Sequence, residues 1–297
     1  MLTPAPRRLV LATSFVPLAV IGYLVAALIL LVAWRLTTGG LRTVAAGLAA
    51  ASLLGSLGHA ALMLPLYVGS HASGPPDLVV MTSNLRLGHA DMGAVGRVAL
   101  AQHVDVLVLE EVTPAEAASM NGLHNRFRYR AGAPASGAFG TMVFSRYPLS
   151  DVARLPITKG TWRMRVHAPT PFWFVGVHTA QPLSKAAAWR SDHAWLLRSV
   201  RDLPGPVVLA GDFNATLDHR PMRRLLADGF ADADRQANSG WQPTWPGAGD
   251  ADGALPFGLH LLTLDHVLTR KYSAISTSTY TIPQSDHRAL VARLALD

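Results

Sequence analysis

The first quarter of the chain shows no amphipathic period. From Ser14 to Trp34, "SFVPLAVIGYLVAALILLVAW", 21 residues run without a charge. A helix needs about 20 such residues to cross a bilayer. A second uncharged run, Val44 to Val68, is richer in Ala and Gly and contains His59 and Pro65. Small residues suit close helix packing in lipid. A polar turn, "RLTTGGLR", joins the two runs. The pattern predicts a transmembrane hairpin, about 14–34 and 44–68, in an anchor covering residues 1–73. A cleaved signal peptide has a shorter apolar core. A buried soluble helix pair would carry a polar face, and these runs have none.

Past the linker "GSHASGPPD" the pattern changes, and residues 74–297 read as a mixed α/β domain of ordinary size. "DLVVMTSN", "VDVLVLE", "GTMVFS", "FWFVGVHT", "GPVVLAGD", "LDHVLTR" and "RALVARLAL" predict strands. Ala90 to His103 predicts a helix. Ser184 to Arg201 predicts an amphipathic one, with Trp189, His193, Leu196 and Val200 on its apolar face and Ser184 as N-cap. "RFRYR", Arg126 to Arg130, predicts a half-exposed strand, Arg146 a strand brace, and Trp241 and Trp245 loop anchors.

Charge changes this picture little. The net charge is +7, but residues 1–76 hold Arg7, Arg8, Arg35, Arg42 and no acid, leaving 22 Lys and Arg against all 19 acids. The surplus therefore says little about nucleic acid. Arginines divide evenly between the two sides of the hairpin. Their tightest cluster, at the loop, favours a multi-pass membrane protein with both termini and the catalytic domain outside the cytoplasm. The absence of Cys excludes disulfides, thiol catalysis and Cys-bound zinc. The spans carry no acid or Lys, which argues against a transporter.

The chemistry-bearing residues fall at strand ends: Asn84, Glu110 and Glu111, His178, Asp212 and Asn214, Asp265 and His266, then Asp286 and His287. Loops over a rigid sheet converge there. One such residue is a turn former; a set of them suggests a site. Oxygen donors without Cys suit a hard cation, Mg²⁺ or Mn²⁺, which polarises a phosphoryl oxygen.

In order, "MTSN", "LVLEEV", "GTMVFSRYPL", "VGVHT", "LAGDFNAT", "LDHVL" and "QSDHRALVARL" resemble the motifs of the endonuclease/exonuclease/phosphatase superfamily, over Asp77 to the C-terminus. The resemblance implies a four-layer α/β sandwich of two mixed β-sheets flanked by helices, and divalent-metal-dependent hydrolysis of phosphodiester or phosphomonoester bonds. It implies Glu111, Asn84 and Asp286 on the metal side. It implies Asp212 on the attacking water, Asn214 and His178 on the phosphate, and a catalytic His287 oriented by Asp265. Which histidine is acid and which base stays open. Glu110 stands where the family usually has Gln; it either tightens metal binding or faces solvent. The other histidines read as structural, with His266 the nearest to a role.

The expected function is a membrane-anchored phosphoesterase. Its partners are the lipid bilayer and a phosphate ester, either nucleic acid or a lipid or inositol phosphate, with nucleic acid favoured by the breadth of nucleases in the superfamily. No protein partner is inferred. A catalytically silent phospholigand binder is the alternative.

Overall fold

The structure, a computed structural model, describes residues 6–69, 71–123, 126–247 and 259–297. Ser70 of the linker and His124 lie outside the described residues.

A short helix α1 (Arg7–Thr13) leads into α2 (Ala19–Leu36) and α3 (Gly39–Met63). The joining turn is shorter than the polar stretch predicts: only Thr37 and Thr38 lie outside the helices, and Gly39 to Arg42 are helical. Gly39, at φ 60°, enters α3 in the left-handed region. The hairpin packs through small residues. Gly55 lies against the Tyr23 ring, Ser56 Oγ donates to Val20 O (3.2 Å), and Ala27, Ala45 and Ala49 are buried.

The rest forms two six-stranded sheets. The strands are β1 (Leu78–Asn84), β2 (Val106–Glu110), β3 (Tyr129–Ala133), β4 (Thr141–Ser145), β5 (Leu149–Arg154) and β6 (Trp162–Val166). Then come β7 (Phe172–His178), β8 (Val207–Asp212), β9 (Ala231–Asp232), β10 (Asp265–Arg270), β11 (Tyr272–Thr281) and β12 (Arg288–Leu296). One sheet has the order β11-β12-β1-β2-β4-β3, the other β5-β6-β7-β8-β10-β9. Both are mixed, with parallel pairs β1/β2 and β7/β8 at their centres.

Alternation along the strands sorts the side chains. Leu78, Val80, Val106, Val108, Phe172, Phe174, Val208 and Ala210 face the space between the sheets. Val79, Met81, Leu107 and Leu109 face α4 (Met92–Ala101). Val175, Val177, Val207 and Leu209 face α6 (Pro182–Val200) and α7 (Arg220–Ala227). The four layers are therefore helix, sheet, sheet, helix, as the resemblance implied.

Local differences have local causes. Gln181, not Ser184, precedes α6, because Pro182 is suited to the first helical position. "RFRYR" is only half strand: β3 starts at Tyr129, and Phe127 is buried in the core against Phe144. Arg146 braces the strand end as expected, pairing with Asp105 at 2.6 Å.

Candidate active site

Strand register builds the site. Extending the inward-facing positions to the C-terminal strand ends brings Asn84, Glu110, His178 and Asp212 between the sheets. On β8, Asp212 is the register partner of His178 on one side and Asp265 on the other. On the first sheet Asn84 is the partner of Glu110. Five polar residues thus close the end of an apolar inter-sheet core.

Asp212 is the hub. Its Oδ2 accepts from Asn84 Nδ2 (3.2 Å) and Asn214 Nδ2 (3.0 Å), and its Oδ1 from the Asn214 backbone N–H (2.8 Å). The last bond closes the tight turn of "DFN", with Asn214 at φ 48°. Trp189 Nε1 of α6 donates to Asn214 O at 3.0 Å and holds that turn from behind. Burial pushes the Asp212 carboxyl up to about 6, with the His287 charge working in the opposite direction.

His287 Nδ1 donates to Asp265 Oδ2 at 2.8 Å. Burial works against its charge, but the Asp265 charge and hydrogen bond, then Asp212 and Asp286, outweigh it and push the imidazole up to about 10. His178 is the opposite case. Burial, then the positive charges of Lys159 and His287, hold it well below the usual histidine range. Lys159 Nζ donates to His178 Nε2 at 3.0 Å, which leaves the imidazole proton on Nδ1. The two histidines are therefore one neutral and one charged at neutral pH.

Glu111 follows β2 in the left-handed region, at φ 59°, uncommon for a residue with a side chain. That turn aims its carboxylate into the cleft. Oε2 accepts from Leu87 N–H (2.9 Å), while Oε1 faces Lys159 Nζ (3.3 Å) and His178 Nε2 (3.8 Å). A cleft of about 720 Å³ opens above, lined by Glu111, Lys159, Asp212, Asn214, Asp286 and His287. His178, Asp265 and Asn84 are buried beneath this floor. All eight predicted site residues thus belong to one region.

Glu110 answers to neither expectation. It is fully buried between the sheets, and its Oε1 accepts from Thr82 Oγ1 at 2.8 Å. Burial, then the neighbouring Asp265 charge, raises its carboxyl well above the ordinary range. That environment favours the neutral form of the carboxyl, which resembles the amide of a Gln. A folded-state value raised above the unfolded one makes stability complete below the ordinary carboxyl range and lost as pH rises through the folded value. Glu110→Gln is therefore expected to raise the melting temperature at pH 7–8, with a gain that shrinks toward about pH 4. Thermal melts of both proteins across that range check it; a gain independent of pH would contradict a titrating Glu110.

Two participants were not singled out from sequence. Lys159 sits in the turn "ITKG" between β5 and β6, where no periodicity marks it. Asp192, buried on α6, holds that turn: Oδ1 accepts from Thr158 N (3.0 Å) and Oγ1 (2.9 Å), and Oδ2 from Ala180 N (2.8 Å). An acid beside an otherwise apolar helix face was the available signal. His266 turns away from the cleft. It bonds Asp232 Oδ2 (3.2 Å) and Ala215 O (2.9 Å) and is structural.

Among the described residues no three His, Asp or Glu side chains converge into a preformed metal cage. The donors present fit a looser site. Mg²⁺ retains several waters and takes only one or two carboxylates. Glu111 and Asp286 both border the cleft, and the Asp286 carboxylate has no hydrogen bond among the described residues.

The Endonuclease/Exonuclease/phosphatase family profile matches residues 81–287, and the chain belongs to that family. Members of the family are in general hydrolases of phosphoester bonds, and they typically use divalent metals. Solved structures share the fold. An AP endonuclease from Archaeoglobus fulgidus aligns over 74% of this chain and 99% of its own, with TM-score 0.59 and 17% identity. TDP2 from D. rerio, solved with a single-strand DNA product, covers 73% and 98%, with TM-score 0.60 and 12% identity. A mannosyl-6-phosphatase from Bacteroides thetaiotaomicron covers 74% and 100%, with TM-score 0.55 and 12% identity. No curated protein matches the chain.

Proposed function

We propose that this protein is a bilayer-anchored, divalent-metal-dependent phosphoesterase that hydrolyses its substrate by in-line attack of water on phosphorus. The observation that carries the reading is the row His178–Asp212–Asp265 across three strands, closed by the 2.8 Å Asp265–His287 bond beside Glu111.

Each residue then has work suited to its state. Asp212 orients the water and accepts its proton; a carboxyl near 6 is a competent base at neutral pH. Charged His287 faces the phosphate, offsets the charge that develops on it and has a proton for the leaving oxygen. Asp265 holds that imidazole charged and oriented. Lys159 supplies a further donor, while both Asn214 amide hydrogens go to Asp212 Oδ2 (3.0 Å) and Thr179 O (3.1 Å), so that Asn214 fixes the Asp212 carboxylate rather than donating to the phosphate as the resemblance implied. Glu111 and Asp286, with Asn84 behind them, would hold a Mg²⁺ or Mn²⁺ ion, which polarises a phosphoryl oxygen when bound.

The anchor rests on the two N-terminal helices, Val16–Leu36 and Gly39–Leu66 when their 3₁₀ turns are included. Both are long and apolar enough to cross a bilayer. Their outer faces are open: Leu28, Ile29, Leu54 and Leu57 are 62–70% exposed. Such a surface is unfavourable in water and suited to lipid. Residues 1–73 then form the anchor and 74–297 the catalytic domain, placed outside the cytoplasm.

The test is hydrolysis of bis(p-nitrophenyl) phosphate by the full chain in detergent. Turnover is expected with Mg²⁺ and to fall about 100-fold or more in chelator, returning when the ion is restored. Turnover that ignores chelator would refute metal dependence; no turnover with any divalent ion would refute the enzyme reading.

A further inference from the structure

We propose that the phosphoester hydrolysed here is carried by a membrane lipid whose hydrocarbon enters the cleft along the start of the first apolar helix. The inference rests on the phosphoesterase and anchoring readings above and names their substrate class.

The cleft has two kinds of wall. Its floor is polar: Glu111, Asp212, Asn214 and His287. One side is made of Leu11 of α1 with Ser14 and Phe15, which lie between α1 and α2, and the other of Phe139 and Leu183. These side chains are not a closed core. Phe15 is 48% exposed, Phe139 43% and Leu183 54%. An aromatic and aliphatic rim over a phosphate-binding floor matches a molecule with a phosphate at one end and hydrocarbon beside it.

Position then decides which molecule. The first apolar span begins at Val16, the residue after Phe15. The rim of the cleft therefore lies where the chain enters the bilayer. The catalytic domain is not on a long tether. His219 Nε2 donates to Val10 O at 2.9 Å, before the first span. Gly240 N donates to Leu66 O at 2.7 Å, at the last residue of the second span, and Asn238 Nδ2 to Gly69 O at 3.1 Å, just after it. Both ends of the hairpin are bonded to the domain, which holds the cleft against the membrane surface.

Cations complete the match. Lys185 stands over the Phe139 ring, 5.5 Å from its centroid, and lines the cleft with Lys159 and Arg86. Lys185 also breaks the helical geometry of α6, so that the turn carrying Leu183 stands apart from the helix behind it. Basic and apolar side chains together at a rim suit an interface of anionic headgroups and acyl chains. A polynucleotide would instead need a groove open beyond the site at both ends, and here the bilayer-entry segment walls one side. In the reaction the oxygen of water bonds to phosphorus, one ester P–O bond breaks and the departing oxygen takes a proton. No further reactant is needed.

The full chain is reconstituted in phosphatidylcholine vesicles doped with radiolabelled phosphatidylglycerol or phosphatidic acid, with Mg²⁺. Bis(p-nitrophenyl) phosphate and single- and double-stranded DNA oligonucleotides are assayed beside them. Labelled lipid is expected to be hydrolysed and the oligonucleotides left intact. In the double variant Phe15→Glu, Leu183→Glu the ratio of lipid to bis(p-nitrophenyl) phosphate turnover is expected to fall roughly 10- to 100-fold. Cleavage of an oligonucleotide with neither lipid touched overturns the inference, as does an unchanged ratio in the variant. Should the variant fail to fold, the wild-type comparison of lipid with oligonucleotide still decides. Loss on lipid alone, with the soluble ester still turned over, sinks this inference only. A soluble ester that is not hydrolysed at all sinks the phosphoesterase reading beneath it.

Discussion

His287→Ala is expected to lower kcat for phosphoester hydrolysis by about 10²–10⁴. The imidazole is held charged at the polar floor of the cleft, and a buried carboxylate keeps it so: Asp265 at 2.8 Å. Its second effect is on stability. A histidine pushed up to about 10 contributes stability that is complete below the ordinary value of 6.5 and lost as pH rises through 10. Removing it at neutral pH leaves Asp265 buried, with Oδ1 already lacking a partner among the described residues. Loss of one member of a buried ion pair costs on the order of 3 kcal/mol. Adding Asp265→Asn should then recover part of that stability and none of the activity. Thermal melts and steady-state rates on the two variants and the double variant measure both. A silent His287→Ala would remove this residue from the reaction.

Asp212→Ala is expected to be as harmful to turnover, by about 10²–10⁴, and to act in the opposite direction on the fold. Here burial dominates, and the carboxyl is raised to about 6. The sign is therefore that of a group whose ionisation opposes folding. Its stability contribution is complete below the ordinary 3.8 and lost as pH rises through 6. Against this stand the hydrogen bonds from Asn84 and Asn214 that alanine would break. The net is a variant whose melting temperature, relative to wild type, improves as pH is raised from about 4 to 7, with turnover lost throughout. Melts in chelator across that range provide the comparison. A relative melting temperature that falls with rising pH would mean that Asp212 is stabilised as a carboxylate, and the proposed base would then be too weak.

Much of the fold could be read directly. "VVMTSN", "VLVLE" and "VVLAGD" are apolar runs ending in polar residues, and each is a central strand. These signals are local, since a run of β-branched and aliphatic residues broken by a turn former needs no distant partner to interpret. Edge strands were harder. β11, "YSAISTSTYT", is built of Ser and Thr, and β5, "LSDVAR", is mostly exposed. Neither has an apolar run to announce it; each is a strand because a neighbour offers a ladder of backbone bonds. The hairpin turn shows the reverse error. Polar composition suggested an eight-residue loop, but Gly39 to Arg42 continue the helix.

Site residues divide along the same line. Asn84, Glu111, His178, Asp212, Asn214, Asp265, Asp286 and His287, which the structure brings into one region, could be singled out because they stand at or beside strand ends and follow the order of the family's motifs. Lys159 and Asp192 were not, because a lysine in a turn and an acid in a helix have no local mark of function. Only the approach of three elements shows Asp192 pinning the Lys159 turn.

The sequence by itself determined which side chains are available at the strand ends, that a hard cation suits them, and that an apolar hairpin precedes them. Period and turn chemistry are properties of neighbours along the chain. Tertiary structure decided their electrical states. His178 and His287 are the same residue at similar strand boundaries, yet one is held neutral and the other charged. Glu110 and Glu111 are adjacent, yet one is sealed between sheets and the other lines the cleft. Burial and the nearest charge set those differences, and both come from pairings between residues far apart in the chain.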